Sequence, residues 1–384
     1  MPERDTEAMA VLSQFTNILP RFQVSQEKSL DWLSRCHSSS ELLQESQGTE
    51  RTVNYHQLFN RYGVKPSQNS HRWTECPDIL SGDNWNEKTI YRLTKDQVSG
   101  VDIEQRNRFF AVRANQVIRE FYEKSECVPE HIVHVTCTGY ISPSAVQVLV
   151  AQRNWQKVGV THAYHMGCYA SLPAVRIAEA LSADLAMVDI IHTEMCSLHM
   201  DPAVNTPEQI VVQSLFADGH IKYSVSKKIP LECEVAFQVK GIREWILPDT
   251  EDDMTWAPAP TGMKMRLSRD VPEKIAAHLR SCFLQMANDC GLEPGQLLRD
   301  ALFAVHPGGP KIIEAVERCL ELRADQTNES HGVLKTRGNM SSATLPHIWQ
   351  AILNARPASG TQVVSFAFGP GLTIFASLFE VVYK

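Results

Sequence analysis

Along most of this chain, runs that alternate apolar and polar residues give way to runs with apolar residues every three to four positions. Val11 to Leu19 reads as strand-like, and Glu27 to Arg35 as a polar helix-like segment. From Arg106 to Lys124, the residues Phe109, Val112, Ala114, Val117, Ile118 and Phe121 fall at helical spacing and predict an amphipathic helix. His131 to Cys137 predicts a buried strand running into the turn Thr138-Gly139, followed by a helix at Ser144 to Arg153. A second strand at Val158 to His165, a helix at Ala174 to Leu181 and a strand at Leu185 to His192 come next. Beyond residue 230 the pattern resumes with a strand at Glu232 to Lys240 and a helix at Pro272 to Ala287. The strand Leu302 to Val305 and helices at Lys311 to Leu322 and Ser342 to Asn354 follow, and strands at Val363 to Phe368 and Thr373 to Val382 close the chain. Strands alternating with helices predict an α/β class. Cys36 to Asn86 breaks the pattern: it is polar, irregular and too poor in apolar residues for a core of its own. No internal sequence repeat is visible.

With 384 residues, 43% hydrophobic and 21% charged, the chain has the profile of a soluble globular protein able to bury a substantial core. A formal net charge of -7 argues against a general polyanion binder but leaves room for a local basic patch. The ten cysteines are scattered, with no Cys-x-x-Cys pair and no zinc spacing. Met1 to Gln14 carries Glu3, Arg4, Asp5 and Glu7 and has no apolar signal-peptide core, and no apolar run reaches membrane-span length. The expectation is a cytoplasmic, reducing compartment in which a reactive thiol survives.

Three residues carry candidate chemistry. Cys168 follows a strand and precedes a helix, where a helix N-terminus lowers a thiol pKa, although a buried structural cysteine is the commoner outcome at such a position. His306 ends an apolar strand before Pro-Gly-Gly-Pro, a turn that can present the ring to a cavity or simply hold a loop histidine. Asn339 follows Gly338 and precedes a helix, so an N-cap is its plain explanation. Together the three supply a nucleophile, a proton acceptor and an amide donor, the set that thioester chemistry needs.

These residues sit in Met166-Gly167-Cys168-Tyr169, His306-Pro307-Gly308-Gly309-Pro310 and Gly338-Asn339-Met340-Ser341-Ser342-Ala343. Three further motifs are Leu215-Phe216-Ala217-Asp218-Gly219, Arg269-Asp270-Val271-Pro272 and Phe368-Gly369-Pro370-Gly371-Leu372-Thr373. In order and approximate spacing they resemble the type III polyketide synthases, the chalcone synthase-like branch of the thiolase superfamily. The match runs from about residue 130 to the end and more loosely down to about residue 10. Glu194-Met195-Cys196-Ser197-Leu198-His199 and Tyr169 are more similar to bacterial alkylresorcinol and alkylpyrone synthases than to plant chalcone synthases.

The resemblance implies a thiolase-like, layered αβαβα fold of two similar halves, 1–230 carrying Cys168 and 231–384 carrying His306 and Asn339, in a homodimer with Ser142 near its interface. It implies an acyltransferase that loads an acyl group from a coenzyme A thioester onto Cys168, which His306 holds as a thiolate. Decarboxylative Claisen condensation with malonyl-CoA would extend the chain, with His306 and Asn339 stabilising the enolate, before closure to a resorcinol, phloroglucinol or pyrone. No metal or redox cofactor is implied. Phe216 corresponds to one gatekeeper and Met265 to a second that is usually Phe. Cys196, Leu198, His199, Trp256 and Ser341 correspond to cavity-lining positions, Trp256 replacing a small residue. Arg61 and Lys65, at helical spacing, lie near the family's coenzyme A-binding segment, and a solvated helix face explains them equally well.

Two other enzyme readings share the Cys, His, Asn logic. Papain-like hydrolases use that order, but their signature around the cysteine is absent. A ketoacyl synthase III-like enzyme would perform one condensation, with acyl carrier protein as the donor. A non-catalytic scaffold would not need all three reactive residues. The starter is expected to be a medium or long fatty acyl group.

Overall fold

The computed structural model describes residues 9–44, 53–123 and 127–384. Its strands are β1 Val11–Ile18, β2 Phe22–Ser25, β3 His71–Thr74, β4 His131–Thr136, β5 Gly159–Tyr164, β6 Met187–Met195 and β7 Asp218–Ser226. They continue with β8 Val235–Ile246, β9 Met254–Ala259, β10 Gly262–Leu267, β11 Leu302–Val305, β12 Gln362–Gly369 and β13 Thr373–Tyr383. The first six helices are α1 Gln26–Gln44, α2 Tyr55–Tyr62, α3 Ile103–Phe121, α4 Ala145–Gln152, α5 Ser171–Leu181 and α6 Pro207–Leu215. The remaining five are α7 Val271–Asp289, α8 Pro294–Asp300, α9 Pro310–Leu320, α10 Asn328–Arg337 and α11 Thr344–Asn354.

Nine strands form one sheet in the order β11-β12-β13-β8-β1-β7-β6-β4-β5. The order hides a repeat. On one side, β4 runs parallel to β6, β6 antiparallel to β7, and β7 antiparallel to β1. On the other, β11 runs parallel to β12, β12 antiparallel to β13, and β13 antiparallel to β8. The two sets join where β1 meets β8, and only β5 lacks a counterpart. The chain thus holds two topologically similar halves, although no repeat shows in the sequence.

Side chains alternate across a strand, so each strand feeds two layers. In β11, Ala304 faces one core while Phe303 and Val305 face another; in β13, Phe375 and Phe379 part from Ile374 and Leu378 in the same way. The shared central core holds α5 and α11 through Leu172, Val175, Ile348, Trp349 and Ile352. The outer cores are built by α7 and α9 on one side and by α1, α3 and α4 on the other. The result is helix, sheet, helix, sheet, helix, the layered αβαβα arrangement of the thiolase-like folds.

Each strand and helix expected from the apolar pattern is present within a few residues of its expected ends; Lys124, the last residue of one expected helix, lies outside the described residues. The exception is the stretch 36–86, of which 45–52 lie outside the described residues. It is not irregular: α1 continues to Gln44, and Cys36, Tyr55, Phe59 and Cys76 are buried with α3 in a core the segment shares. Polar side chains in it are neutralised locally. Buried Glu75 accepts from Arg113 at 2.8 Å and Arg21 at 2.9 Å, and lies 3.1 Å from the His220 ring. The helix α2 ends at Tyr62, so exposed Arg61 is helical while exposed Lys65 lies beyond the helix.

Candidate active site

Cys168 sits on the sharp connection between β5 and α5. Two left-handed residues make that bend, His165 at φ +62° and Gly167 at φ +83°. A side chain at Gly167 would be strained by its φ and would also bring a Cβ to 2.8 Å from Pro370 Cδ. Gly369 has no room either, since a Cβ there would lie 2.0 Å from the Tyr169 ring. The Phe368–Thr373 motif is therefore a mould for the cysteine loop.

The Cys168 sulfur lies 3.9 Å from Ser341 Oγ, which brings the start of α11 against the start of α5. Burial pushes the Cys168 thiol up to about 12, against the smaller opposing pull of the Ser341 hydroxyl and the nearby Asn339 amide. The helix start expected to acidify it does not prevail. Among the described residues no hydrogen bond or ion pair joins Cys168 to His306. His306 is buried, and burial holds its ring neutral with a pKa lowered to about 3.

His306 follows β11 directly, as Cys137 follows β4 in the other half, and its N–H bonds Phe366 O at 2.8 Å. Asn339 is held in a backbone ladder: its N–H bonds Leu215 O at 3.1 Å, and its carbonyl accepts from Ala217 N at 2.8 Å. Gatekeeper position Phe216 thus lies beside it. Asn339 Oδ1 accepts from Ser341 N–H at 2.9 Å, a turn contact two residues on; Asn339 is not the N-cap expected of it, that place being taken by Met340 before the short turn 341–343 and by Ala343 before α11. That bond fixes the amide orientation and leaves buried Nδ2 without a partner among the described residues, as are both ring nitrogens of His306.

In front of Cys168 lies an apolar slot. Its volume is about 690 Å³, open solvent at its mouth included. One wall is a face of α6 and its C-terminal residue: Gln209, Val212, Gln213 and Phe216 line the slot at helical spacing. Another is the β9–β10 hairpin, where Trp256 and Met265 are cross-strand partners and both line the slot. Met200, Met254 and Met263 add to an unusually sulfur-rich, adaptable surface. Cys196, His199 and Ser341 also line it, as expected. Leu198 does not. It is fully buried in the outer core with α3, because the short helix at Cys196–His199 turns it away from the slot.

His199 is a wall residue with no spare nitrogen. Nδ1 accepts from Met263 N–H at 3.1 Å, so Nε2 carries the proton and donates to Thr138 O at 2.8 Å. Behind the slot, buried Glu194 accepts from Thr138 Oγ1 at 2.7 Å and Cys137 N at 3.0 Å and bonds Ser342; burial raises its carboxyl pKa. No role was expected for Cys137, at the end of an apolar strand, or for Glu194, which opens the Glu194–His199 motif.

The class is defined by a thiolase-type layered fold with buried Cys168 from one half and buried His306 and Asn339 from the other. Residues 237–382 match the family described as "Chalcone and stilbene synthases, C-terminal domain". The chain is 29% identical over 252 residues to "Probable polyketide synthase 1" of Dictyostelium discoideum, covering 63% of this chain but 8% of that protein. It is 30% identical over 262 residues to "Alpha-pyrone synthesis polyketide synthase-like Pks18" of Mycobacterium tuberculosis, covering 66% of this chain and 65% of that one. With "Type III polyketide synthase C" of Arabidopsis thaliana it shares 28% over 277 residues, 67% of this chain and 71% of that one. The chain therefore spans less than two thirds of the first two of these relatives. In fold it is similar to PKS-I from the brown algae Ectocarpus siliculosus, with TM-score 0.83 at 22% identity over 99% of this chain and 100% of that chain. It is likewise similar to 1,3,6,8-tetrahydroxynaphthalene synthase from Streptomyces coelicolor A3(2), with TM-score 0.76 at 20% identity over 96% and 99%. Residues 237–382 thus carry the chalcone and stilbene synthase C-terminal domain, and over about two thirds of its length the chain is similar to type III polyketide synthases.

Proposed function

We propose that this chain loads an acyl group from a coenzyme A thioester onto Cys168, extends it by decarboxylative Claisen condensation with malonyl-CoA, and closes the product to a ring. The observation that carries this reading is the set of unpartnered buried groups at Asn339 Nδ2 and His306. An unmet buried donor costs about 1–3 kcal/mol, which a folded chain tolerates where a reacting oxygen completes it.

Each step follows from that arrangement. As the thioester approaches, Cys168 passes its proton to the neutral His306 ring, and the sulfur attacks the acyl carbon. The coenzyme A thiolate leaves with that proton, and His306 returns to its neutral form. The malonyl thioester oxygen then accepts hydrogen bonds from Asn339 Nδ2 and the His306 N–H. Loss of carbon dioxide leaves its electron pair in an enolate, whose oxygen those donors stabilise. The enolate carbon attacks the acyl thioester on Cys168, and the sulfur departs as a thiolate that takes up a proton from solvent to restore the thiol. Decarboxylation supplies the carbanion, so we assign no metal or redox cofactor.

The slot's apolar, methionine-rich wall favours a medium or long fatty acyl starter. The relative named for α-pyrone synthesis favours lactonisation to a pyrone over a resorcinol or phloroglucinol ring. Arg61 and Lys65 are assigned to the coenzyme A phosphates, the halves to 1–230 and 231–384, and the working form to a cytoplasmic homodimer. Among the described residues no helix is long and apolar enough to cross a membrane.

The test is mass spectrometry of products from malonyl-CoA and a series of fatty acyl-CoA starters, with Cys168→Ala as control. Ring products longer than the starter by two or more malonyl units, absent from the variant, support the proposal. A single extension would replace it with a one-step condensing enzyme, and no acylation of Cys168 would overturn it.

A further inference from the structure

We infer that Cys137 is a positioning residue that clamps the nucleophile loop and couples it to the cavity wall; the inference rests on Cys168 being the acyl acceptor. The Cys137 sulfur meets both polar groups of Gly167, the residue before Cys168. It accepts the Gly167 N–H at 3.0 Å and donates its S–H to the Gly167 carbonyl at 3.5 Å. Gly167 is the left-handed residue of the bend, and no backbone group among the described residues supplies its N–H with a partner. A single thiol therefore holds the conformation that aims Cys168.

The backbone of Cys137 is tied on both sides of that thiol. Its N–H bonds the buried carboxyl of Glu194 at 3.0 Å, and its carbonyl accepts from Trp256 Nε1 at 2.8 Å. Trp256 belongs to the hairpin that walls the slot, so pressure from a bound chain on that ring reaches Gly167 through one residue. Cys137 also occupies, in the first half, the point that His306 occupies in the second. The fold brings matched residues to the centre from both halves.

Without the clamp, Gly167 seeks another partner and the loop relaxes outward. Cys168 then becomes more accessible to a small alkylating agent while its aim at the substrate worsens. The experiment measures iodoacetamide labelling of Cys168 by peptide mass spectrometry across pH, beside kcat and KM for malonyl-CoA turnover. Buried Cys36, in the outer core, reports on general loosening of the fold. In Cys137→Ala, Cys168 labelling at pH 7.5 is expected to rise about fivefold, the size of one lost hydrogen bond. kcat falls more than KM changes, Cys36 stays protected, and Cys137→Ser recovers most of both. Unchanged Cys168 labelling in the alanine variant, or a parallel rise at Cys36, would overturn the inference. So would acyl groups found on residue 137 of the unsubstituted protein. Labelling needs no turnover, so it can fail or succeed independently of the polyketide reading.

Discussion

Removing the side-chain amide of Asn339 separates its two jobs. Its Oδ1 accepts from Ser341 N–H at 2.9 Å, and its Nδ2 has no partner among the described residues. Asn339→Ala loses both. The orphaned Ser341 N–H should lower stability by about 1–3 kcal/mol, read as a drop in denaturation midpoint. The lost donor should lower malonyl-CoA decarboxylation by about 10²–10³, the range for one oxyanion donor. Acyl loading of Cys168 should fall much less, because His306 alone handles that proton. Asn339→Asp keeps the accepting oxygen and so should recover stability without recovering decarboxylation while ionised. A buried carboxyl resists ionisation, and its protonated form offers one O–H donor, so the deficit should shrink as pH falls. The assays are carbon dioxide release and intact-protein mass spectrometry of the acyl adduct. Decarboxylation by Asn339→Ala within tenfold of the unsubstituted protein, or equal losses in loading and decarboxylation, would refute the division of labour.

Three more outcomes follow from the same geometry. Because burial raises the Cys168 thiol to about 12, its labelling by iodoacetamide should climb with pH through pH 10, the thiolate fraction rising tenfold per unit; a plateau near pH 7 would mean that a thiolate–imidazolium pair exists after all. Gly167→Ala combines a left-handed φ with a 2.8 Å approach to Pro370 Cδ, so it should destabilise by at least about 1–2 kcal/mol and abolish loading, whereas Gly291→Ala, with open space around it, should carry strain alone and leave loading intact. Burial alone would raise the Glu75 carboxyl, but hydrogen bonds and attraction from His220 and Arg113 outweigh it and hold it at about 2. Its folded pKa is depressed, so its contribution is present above about pH 4.5 and is lost as pH falls towards 2, on the order of 3 kcal/mol in thermal unfolding. Glu75→Gln should flatten that acid limb.

Much of this was legible in advance. The strands of both halves read from alternation alone, since burial on a sheet face imposes it. β7 did not: Asp218, His220, Lys222 and Ser224 look like a solvent face, yet all are buried. Each is met by a distant partner, Asp189 bonding both Lys222 and Ser224, and Glu75 lying against His220. Local pattern cannot register a polar group whose partner lies far along the chain. Cys36 to Asn86 was misread for the same reason, because its apolar residues complete a core that others began.

By itself, the sequence determined the class of fold and a candidate trio for the site. Six ordered motifs name Cys168, His306 and Asn339, and alternation names the strands that carry them. Only the tertiary structure decided how they meet. It buried Cys168, which raises its thiol pKa, left Asn339 Nδ2 and His306 unpaired among the described residues, turned Leu198 into the core, and placed a thiol at residue 137 under the Cys168 loop. Those outcomes depend on solvation and on contacts between halves whose residues are far apart in the chain, and neither is encoded in any local run of residues.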